Sequence, residues 1–474
     1  MNVNLADSVL DACLRFADRP ALHCLSTSWS YSEFAGQIQA WARWFAGSQI
    51  PARLGFALPN SALYLAAMYG AVKAGKVPFL IDDKLSRTEI GAIARDVQLD
   101  VLLVATEWEF DLPRIGEWQG LQLYAFPAAD KTNLLHPSTA VCRFTSGTSS
   151  APKCLEFSHT AVLEAGRVWM RSNRMESSDI TLCLAGFFNG LAFNTSLAAT
   201  FLSGAQLVIY SGWASPPQVL REAARHHVTR LIGFPAFYKL LASSGLARNK
   251  LPASLQQVYS AASSLSDDTR NALKAQYGLD VSNYYGIAEA GPVTTEADLA
   301  AACGNGTALQ GCLMRTENGV LQVRTPYLAT RYLNRPGELE KRLTADGFYV
   351  TSDLAVISEG RLFLRGRRDA ILDVGGKKFE SSEVVGALLS LPGVDEAFVF
   401  GDPVPDQGMA VCAVVAGQNL PDEAVIRRQL GCQLAAFKIP QKIQFASALP
   451  RNAAGKIDAV GLRSRFRNRR FQNA

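Results

Sequence analysis

Residues 144–159 read FTSGTSSAPKCLEFSH. Thr145, Ser146, Thr148, Ser149 and Ser150 surround a single glycine, Gly147, and Lys153 follows Pro152. The run AVCRF just upstream reads as a buried strand that delivers this loop to a sheet edge. A loop of small hydroxyl residues aims backbone N–H groups and side-chain O–H donors at phosphate oxygens, and Lys153 adds a positive charge. The loop is not a Walker A motif. That motif needs a second glycine before the lysine and a Ser or Thr after it, and Cys154 stands there instead. Composition alone leaves an ordinary polar surface loop equally open.

Outward from this stretch, 474 residues exceed what one core usually organises and imply two or more domains. A hydrophobic fraction of 48% with 19% charged residues belongs to a globular chain, and a net charge of +5 is too mild to imply nucleic acid. Nine cysteines, an odd number without CxxC spacing, argue against a disulfide framework and for a reducing cytoplasm. His226 and His227 form the one histidine cluster, and without nearby cysteines they read as a helix-surface pair rather than a zinc site. The N-terminus lacks the basic and apolar regions of a signal peptide, and no run of about 20 apolar residues predicts a membrane span.

The first third alternates. Tyr31–Phe45 has helical apolar spacing, 54–58 reads as a strand, 61–73 as a helix, and 77–81 and 101–104 as further strands around a helix at 87–97. Strand, helix, strand in that order implies parallel pairing. Trp41, Trp44 and Phe45 are expected in the core. Beyond the loop, helix 160–170, strand 179–184, strand 206–210, helix 217–226, strand 230–233 and helix 236–243 continue the pattern. From 372 the composition resets to a glycine loop, a helix at 381–390 opened by Ser381 or Ser382, strands at 394–401 and 409–416, and a helix at 422–435.

The segment 144–159 resembles the phosphate-binding signature of the adenylate-forming superfamily: acyl- and aryl-CoA synthetases, luciferases and peptide-synthetase adenylation domains. Its usual form is [YF]TSGTTGxPKG…(S/T)H; here Ser150 and Cys154 replace two glycines. NYYGIAEAG at 283–291 resembles the family's (N)xYGxTE, with Ala288 for threonine. YVTSD at 349–353 resembles YxTGD, GRRD at 366–369 resembles GRxD, and LPRNAAGKID near the end resembles LPRTxxGKI. The order and spacing of these motifs, over roughly residues 20 to 460, carry the resemblance.

The resemblance implies an α/β fold: a large N-terminal domain of parallel and mixed sheets flanked by helices, residues 1–368, and a small mobile α+β C-terminal domain, residues 369–474, hinged at Asp369. It implies ATP held by Thr145, Ser146, Gly147, Thr148, Ser149 and Lys153. Tyr284 and Tyr285 would pack by the adenine, with Ser260, Ala261 and Ala262 on its other side and Asn283 and Gly286 in the same motif. Asp353 would take the ribose hydroxyls, Arg367 would reach the nucleotide, and Glu289 would ligate Mg²⁺, as a carboxylate beside a triphosphate requires. Lys456 would be the catalytic lysine, and the loop with Gly375, Gly376 and Lys377 would guide the thiol.

GFFNGLAFN, 186–194, falls where the family has an aromatic-His-x-x-Gly-Leu turn, with Phe187 in the histidine's place. By resemblance Phe187, Asn189, Gly190 and Phe234 line the acid pocket, and Phe188 and Tyr238 lie in segments used for it. No acidic residue sits among them to hold an ammonium, which disfavours an α-amino acid. The expected activity is ATP-dependent ligation of an apolar small carboxylic acid, aryl or short to medium acyl, through acyl-AMP to a thioester. CoA and the phosphopantetheine of an acyl carrier protein remain alternative acceptors, and a non-catalytic nucleotide-binding protein is the reading from another class. The arginine-rich run RSRFRNRR, 463–470, reads as a solvated tail, or as a contact for CoA phosphates or an acidic carrier.

Overall fold

The computed structural model describes residues 3–25, 27–48, 50–107, 110–128, 131–145, 152–211, 215–246, 251–261, 265–296, 304–367, 371–404, 408–450, 462, 463 and 466. The chain divides into two compact units. The first comprises Met1–Asp83, Ala94–Thr145 and Lys153–Arg368; the second comprises Lys84–Ile93, Ser146–Pro152 and Asp369–Ala474.

Two sheets build the first unit. In the smaller, the strand Arg53–Ala57 lies parallel to Val77–Ile81 on one side and Val101–Ala105 on the other. Val77–Ile81 pairs in parallel with Thr139–Thr145, the strand that leads into the hydroxyl-rich loop. These central strands are buried on both faces, which is why they read as apolar runs rather than alternations. In the larger sheet, Gln206–Ile209, Ile180–Cys183, Arg230–Gly233, Gln257–Ser260 and Ser282–Ile287 form a parallel series, which antiparallel strands extend on the far side of Ser282–Ile287.

The helix Tyr31–Gly47 starts at a capping box in which Ser30 and Glu33 satisfy each other's backbone N–H groups. It buries Tyr31, Phe34, Ile38, Trp41 and Phe45, one stripe at helical spacing. The helix Ala62–Lys73 crosses it closely at Gly70, where a Cβ would stand 2.5 Å from Trp41 Cβ. The three aromatics expected in the core are there, Trp44 only partly buried.

The second unit has its own core beneath a sheet in which Gly408–Ala416 is flanked by Glu396–Val404, antiparallel, and Lys442–Ala446, parallel. The stretch expected as a glycine loop is a hairpin, Ile371–Val374 with Lys377–Glu380, turning at Gly375 and Gly376, both at positive φ (60° and 82°). That is the backbone a tight two-residue hairpin requires. The helix Ser381–Leu389 follows, but its N-cap is Glu380 and makes no side-chain cap, so neither serine opens it as expected.

Candidate active site

The larger sheet brings the distant motifs together by register. Gly233 pairs with Ser260, and Ser260 with Asn283, so Phe234 and Ala261 leave the sheet beside Tyr284 where the parallel ladder ends, while Tyr284 itself stays in its strand, paired antiparallel with Thr295. The carboxyl ends of parallel strands are where open α/β sheets bind ligands. Asp353 pairs across the antiparallel ladder with Arg367.

Tyr285 donates its hydroxyl to Asp353 Oδ2 at 2.7 Å, joining the residue expected by the adenine to the one expected by the ribose. Tyr284 points to the opposite face of the strand, as alternation demands, and its ring stands edge-on to Trp169 at 5.2 Å. The two tyrosines expected by the adenine therefore differ in their surroundings, Tyr285 bound to Asp353 and Tyr284 packed on Trp169. Asn283 spends its amide on the Gly304 carbonyl (3.0 Å) and the Leu265 N–H (3.4 Å), which fixes two loops to the strand. Gly286 has no room for a side chain, because a Cβ would meet the Tyr284 hydroxyl at 2.6 Å and the Gly291 carbonyl at 2.7 Å. Ser260, at 1% exposure, has no hydrogen-bond partner for its hydroxyl, and Ala261 is fully buried.

Lys153 emerges directly after the phosphate-type loop, opposite Thr145. Its ammonium pairs with Glu338 at 2.6 Å and lies 5.3 Å from the centre of the Tyr332 ring. Tyr332 donates its hydroxyl to Glu289 Oε1. One tyrosine thus stands between the lysine expected on phosphate and the glutamate expected on the metal. Burial, and then the Glu289 charge, push the Tyr332 phenol far above its ordinary pKa, so it remains a donor. Cys154, in place of the family's glycine, is fully buried, and its N–H donates to Asn334 Oδ1 at 2.8 Å.

Asn189 caps the turn that follows, accepting from the Leu191 N–H at 2.9 Å. Gly190 begins the helical segment that continues as a π-helix at Phe193–Leu197. Single π turns are frequent at functional sites. Phe187 is buried, edge-on to Tyr64 at 5.4 Å, with its N–H held by Asn60 Oδ1 at 2.8 Å. Phe234 is half-buried just before Pro235.

Sequence reasoning passed over Arg143, in the middle of AVCRF. It is 4% exposed, with its guanidinium over the rings of Phe157 (4.2 Å) and Phe193 (5.0 Å). Burial lowers its pKa to about 10, against the pull of Tyr284 and Glu289, so it stays a cation at neutral pH. The signal was a charge inside a strand otherwise fit for a core.

Ser146, Gly147, Thr148, Ser149, Ala262, Asp369 and Lys456 lie outside the described residues, as do Arg465, Arg467, Arg469 and Arg470 of the basic tail, and of Arg367 only the backbone is described. Lys377, in the second unit, lies 4.5 Å from the Phe437 ring centre, and the Gly376 N–H donates to Asp373 Oδ1 at 3.0 Å. Among the described residues no three His, Cys, Asp or Glu side chains gather as a metal cage, and no helix is long and apolar enough to cross a membrane. The His226 ring packs at a tilt against His23, with ring centres 3.9 Å apart. The eight described cysteines are free.

The pattern of the AMP-binding enzyme family matches residues 10–320, and that of the AMP-binding enzyme C-terminal domain matches residues 383–456. A 3-[(3aS,4S,7aS)-7a-methyl-1,5-dioxo-octahydro-1H-inden-4-yl]propanoyl:CoA ligase of Mycobacterium tuberculosis is 29% identical over 68% of this chain and 65% of its own. A 3-hydroxybenzoate–CoA ligase of an Aromatoleum species is 24% identical over 97% of this chain and 96% of its own. Among solved structures, the o-succinylbenzoate CoA synthetase of Bacillus subtilis shares the fold with a TM-score of 0.85 at 20% identity, over 96% of this chain and 98% of that one. The chain belongs to the AMP-binding enzyme family, within the adenylate-forming superfamily.

Proposed function

We propose that the chain is an ATP-dependent ligase that joins a small carboxylic acid to AMP and then passes the acyl group to the thiol of CoA. The observation that carries this reading is Tyr332, which holds the Glu289 carboxylate while its ring lies beside the Lys153 ammonium. An anion for a hard cation and a cation for phosphate then face one space. Relatives named for CoA ligation of hydroxybenzoates and long-chain fatty acids support CoA as the acceptor and an acid with an apolar body, which we take as aryl or short to medium acyl.

In the first step the acid's carboxylate oxygen attacks the α-phosphorus of ATP, forming acyl-AMP and releasing pyrophosphate. Two anions approach, so the protein's work is alignment and charge neutralisation. Lys153 does this at the phosphates and Lys456 at the oxygens shared in the transition state. Glu289 fits a magnesium ion, since this metal commonly takes one or two carboxylates and completes its shell with phosphate and water. When bound, it would neutralise the triphosphate charge. Asp353, oriented by Tyr285, accepts from the ribose hydroxyls, and Arg367 reaches the nucleotide. In the second step the thiol attacks the acyl carbonyl and AMP leaves, with Gly375, Gly376 and Lys377 beside the thiol's path. On this reading residues 1–368 bind nucleotide and acid, residues 369–474 carry Lys456 and the thiol loop, and the enzyme works in the reducing cytoplasm.

Pyrophosphate release from ATP with a panel of benzoates and short to medium fatty acids tests the reading. Release that depends on the acid, followed by a thioester with CoA, is expected. Thioester formation with a holo carrier protein and not with CoA would move the acceptor to phosphopantetheine. Absence of release with every acid would leave a nucleotide-binding protein without catalysis.

A further inference from the structure

Arg143 and Asn194 are both more than nine-tenths buried, at 4% and 6% exposure. Arg143 Nε has no hydrogen-bond partner, and among the described residues no hydrogen bond engages either side chain. Both reach the same small space. A Cβ on Gly190 would stand 2.7 Å from Arg143 Nη1 and 3.9 Å from Asn194 Nδ2, and a Cβ on Gly291 would stand 3.6 Å from the same Nδ2. Two glycines keep that space open, and the π-helix that begins at Phe193 carries Asn194.

A buried cation without hydrogen bonds is costly, so the fold gains nothing by keeping one here. The rings of Phe157 and Phe193 cover the guanidinium, which leaves its in-plane N–H donors as the groups free to bind. An in-plane guanidinium edge is the geometry that receives a carboxylate through two parallel hydrogen bonds. The Glu289 carboxylate is occupied by Tyr332 and makes no hydrogen bond to Arg143. On the Thr139–Thr145 strand Arg143 lies two residues before Thr145 on the same face, roughly 7 Å from the start of the phosphate loop.

We propose that Arg143 and Asn194 form a subsite for a second carboxylate on the acid substrate, so that the enzyme activates one end of a dicarboxylic acid with an apolar body. This rests on the ligase reading. On this proposal the body of the acid is apolar, as expected, and its far end is an anion.

Matched acids test it. Terephthalate is compared with its monomethyl ester, and adipate with hexanoate, by ATP–pyrophosphate exchange. The diacid of each pair is expected to win by about 10²-fold or more in kcat/KM, because a buried polar site rejects ligands that leave it unpaired. In Arg143→Met the ratio should fall to about one, mostly through the KM of the diacid, with the KM for ATP unchanged. Arg143→Lys keeps the charge without the fork and should lie between. Thermal shift without ATP gives a reading independent of catalysis: terephthalate should stabilise the wild type, its monoester less, and Arg143→Met should abolish the difference. If no acid drives exchange the ligase reading fails, while the diacid-specific thermal shift would still support the subsite. Equal turnover of both members of each pair would overturn it. So would an Arg143→Met defect equal for both acids with a raised KM for ATP, which would make Arg143 a partner of Glu289, and so would a thermal shift that does not distinguish the acids.

Discussion

At the scale of single residues, Glu289 was singled out by the resemblance, as a carboxylate that would hold a cation beside phosphate. Its holder was not. Tyr332 lies 43 positions further along the chain, and nothing in the sequence around it marks it as a partner. The same is true of Glu338, whose ion pair with Lys153 was invisible before the two stood 2.6 Å apart. Arg143 could have been found, since a charge in the middle of a buried strand is costly and asks for a reason. Glu289→Gln keeps the shape of the side chain and its contact with Tyr332 while removing the negative charge. Acid-dependent pyrophosphate release should fall by about 10²-fold or more, the usual effect of removing one stabilising group from a reacting centre. Thioester formation from supplied acyl-AMP should hardly change, because acyl-AMP no longer carries the pyrophosphate charge. Equal loss in both half-reactions would assign Glu289 a structural role.

At the scale of elements, helices and central strands were readable wherever burial was one-sided or complete. The strands Val77–Ile81 and Arg230–Gly233 fall where their apolar runs placed them, and most helices lie within one to three residues of their expected bounds. The hairpin Arg114–Trp118 and Leu121–Ala125 escaped because its first strand is largely exposed and does not alternate. Only in three dimensions does Trp118 prove to pack on Trp41 and Trp44. The second unit holds an arrangement equally invisible in sequence. Lys438 Nζ donates to Glu89 Oε1 and Glu383 Oε2, each at 2.8 Å, with all three side chains largely buried. Burial alone would pull the lysine toward neutrality, but the Glu383 and Glu89 charges outweigh it and raise its pKa. Lys438→Met would leave two carboxylates facing each other without a cation. Breaking a buried pair in this way costs about 3–5 kcal/mol, which should appear as a lower urea midpoint at pH 7. A loss below about 1 kcal/mol would mean that water reaches the site and screens the charges.

At the scale of the whole molecule, the order of motifs along the chain identified the family before any coordinate was known, because several short motifs that match one family's pattern in its order and spacing are far more specific than any one of them alone. The space proposed to take a second carboxylate was not legible, since it depends on Arg143, Asn194 and Gly190 meeting across 51 positions of chain. The two half-reactions separate the chain's roles. Lys456 is proposed to act on the charge shared by two oxygens as acyl-AMP forms, so Lys456→Ala should lower acid-dependent ATP–pyrophosphate exchange by about 10²–10³-fold. Supplied acyl-AMP bypasses that step, and the variant should then pass the acyl group to CoA at nearly the wild-type rate. Lys377→Glu should do the reverse. It places a negative charge beside the proposed path of CoA, whose phosphates it repels, and should raise the KM for CoA while leaving exchange intact. Normal exchange in Lys456→Ala would remove the C-terminal motif from the mechanism, and loss of exchange in Lys377→Glu would show that the hairpin at Gly375 and Gly376 serves the first step rather than the second.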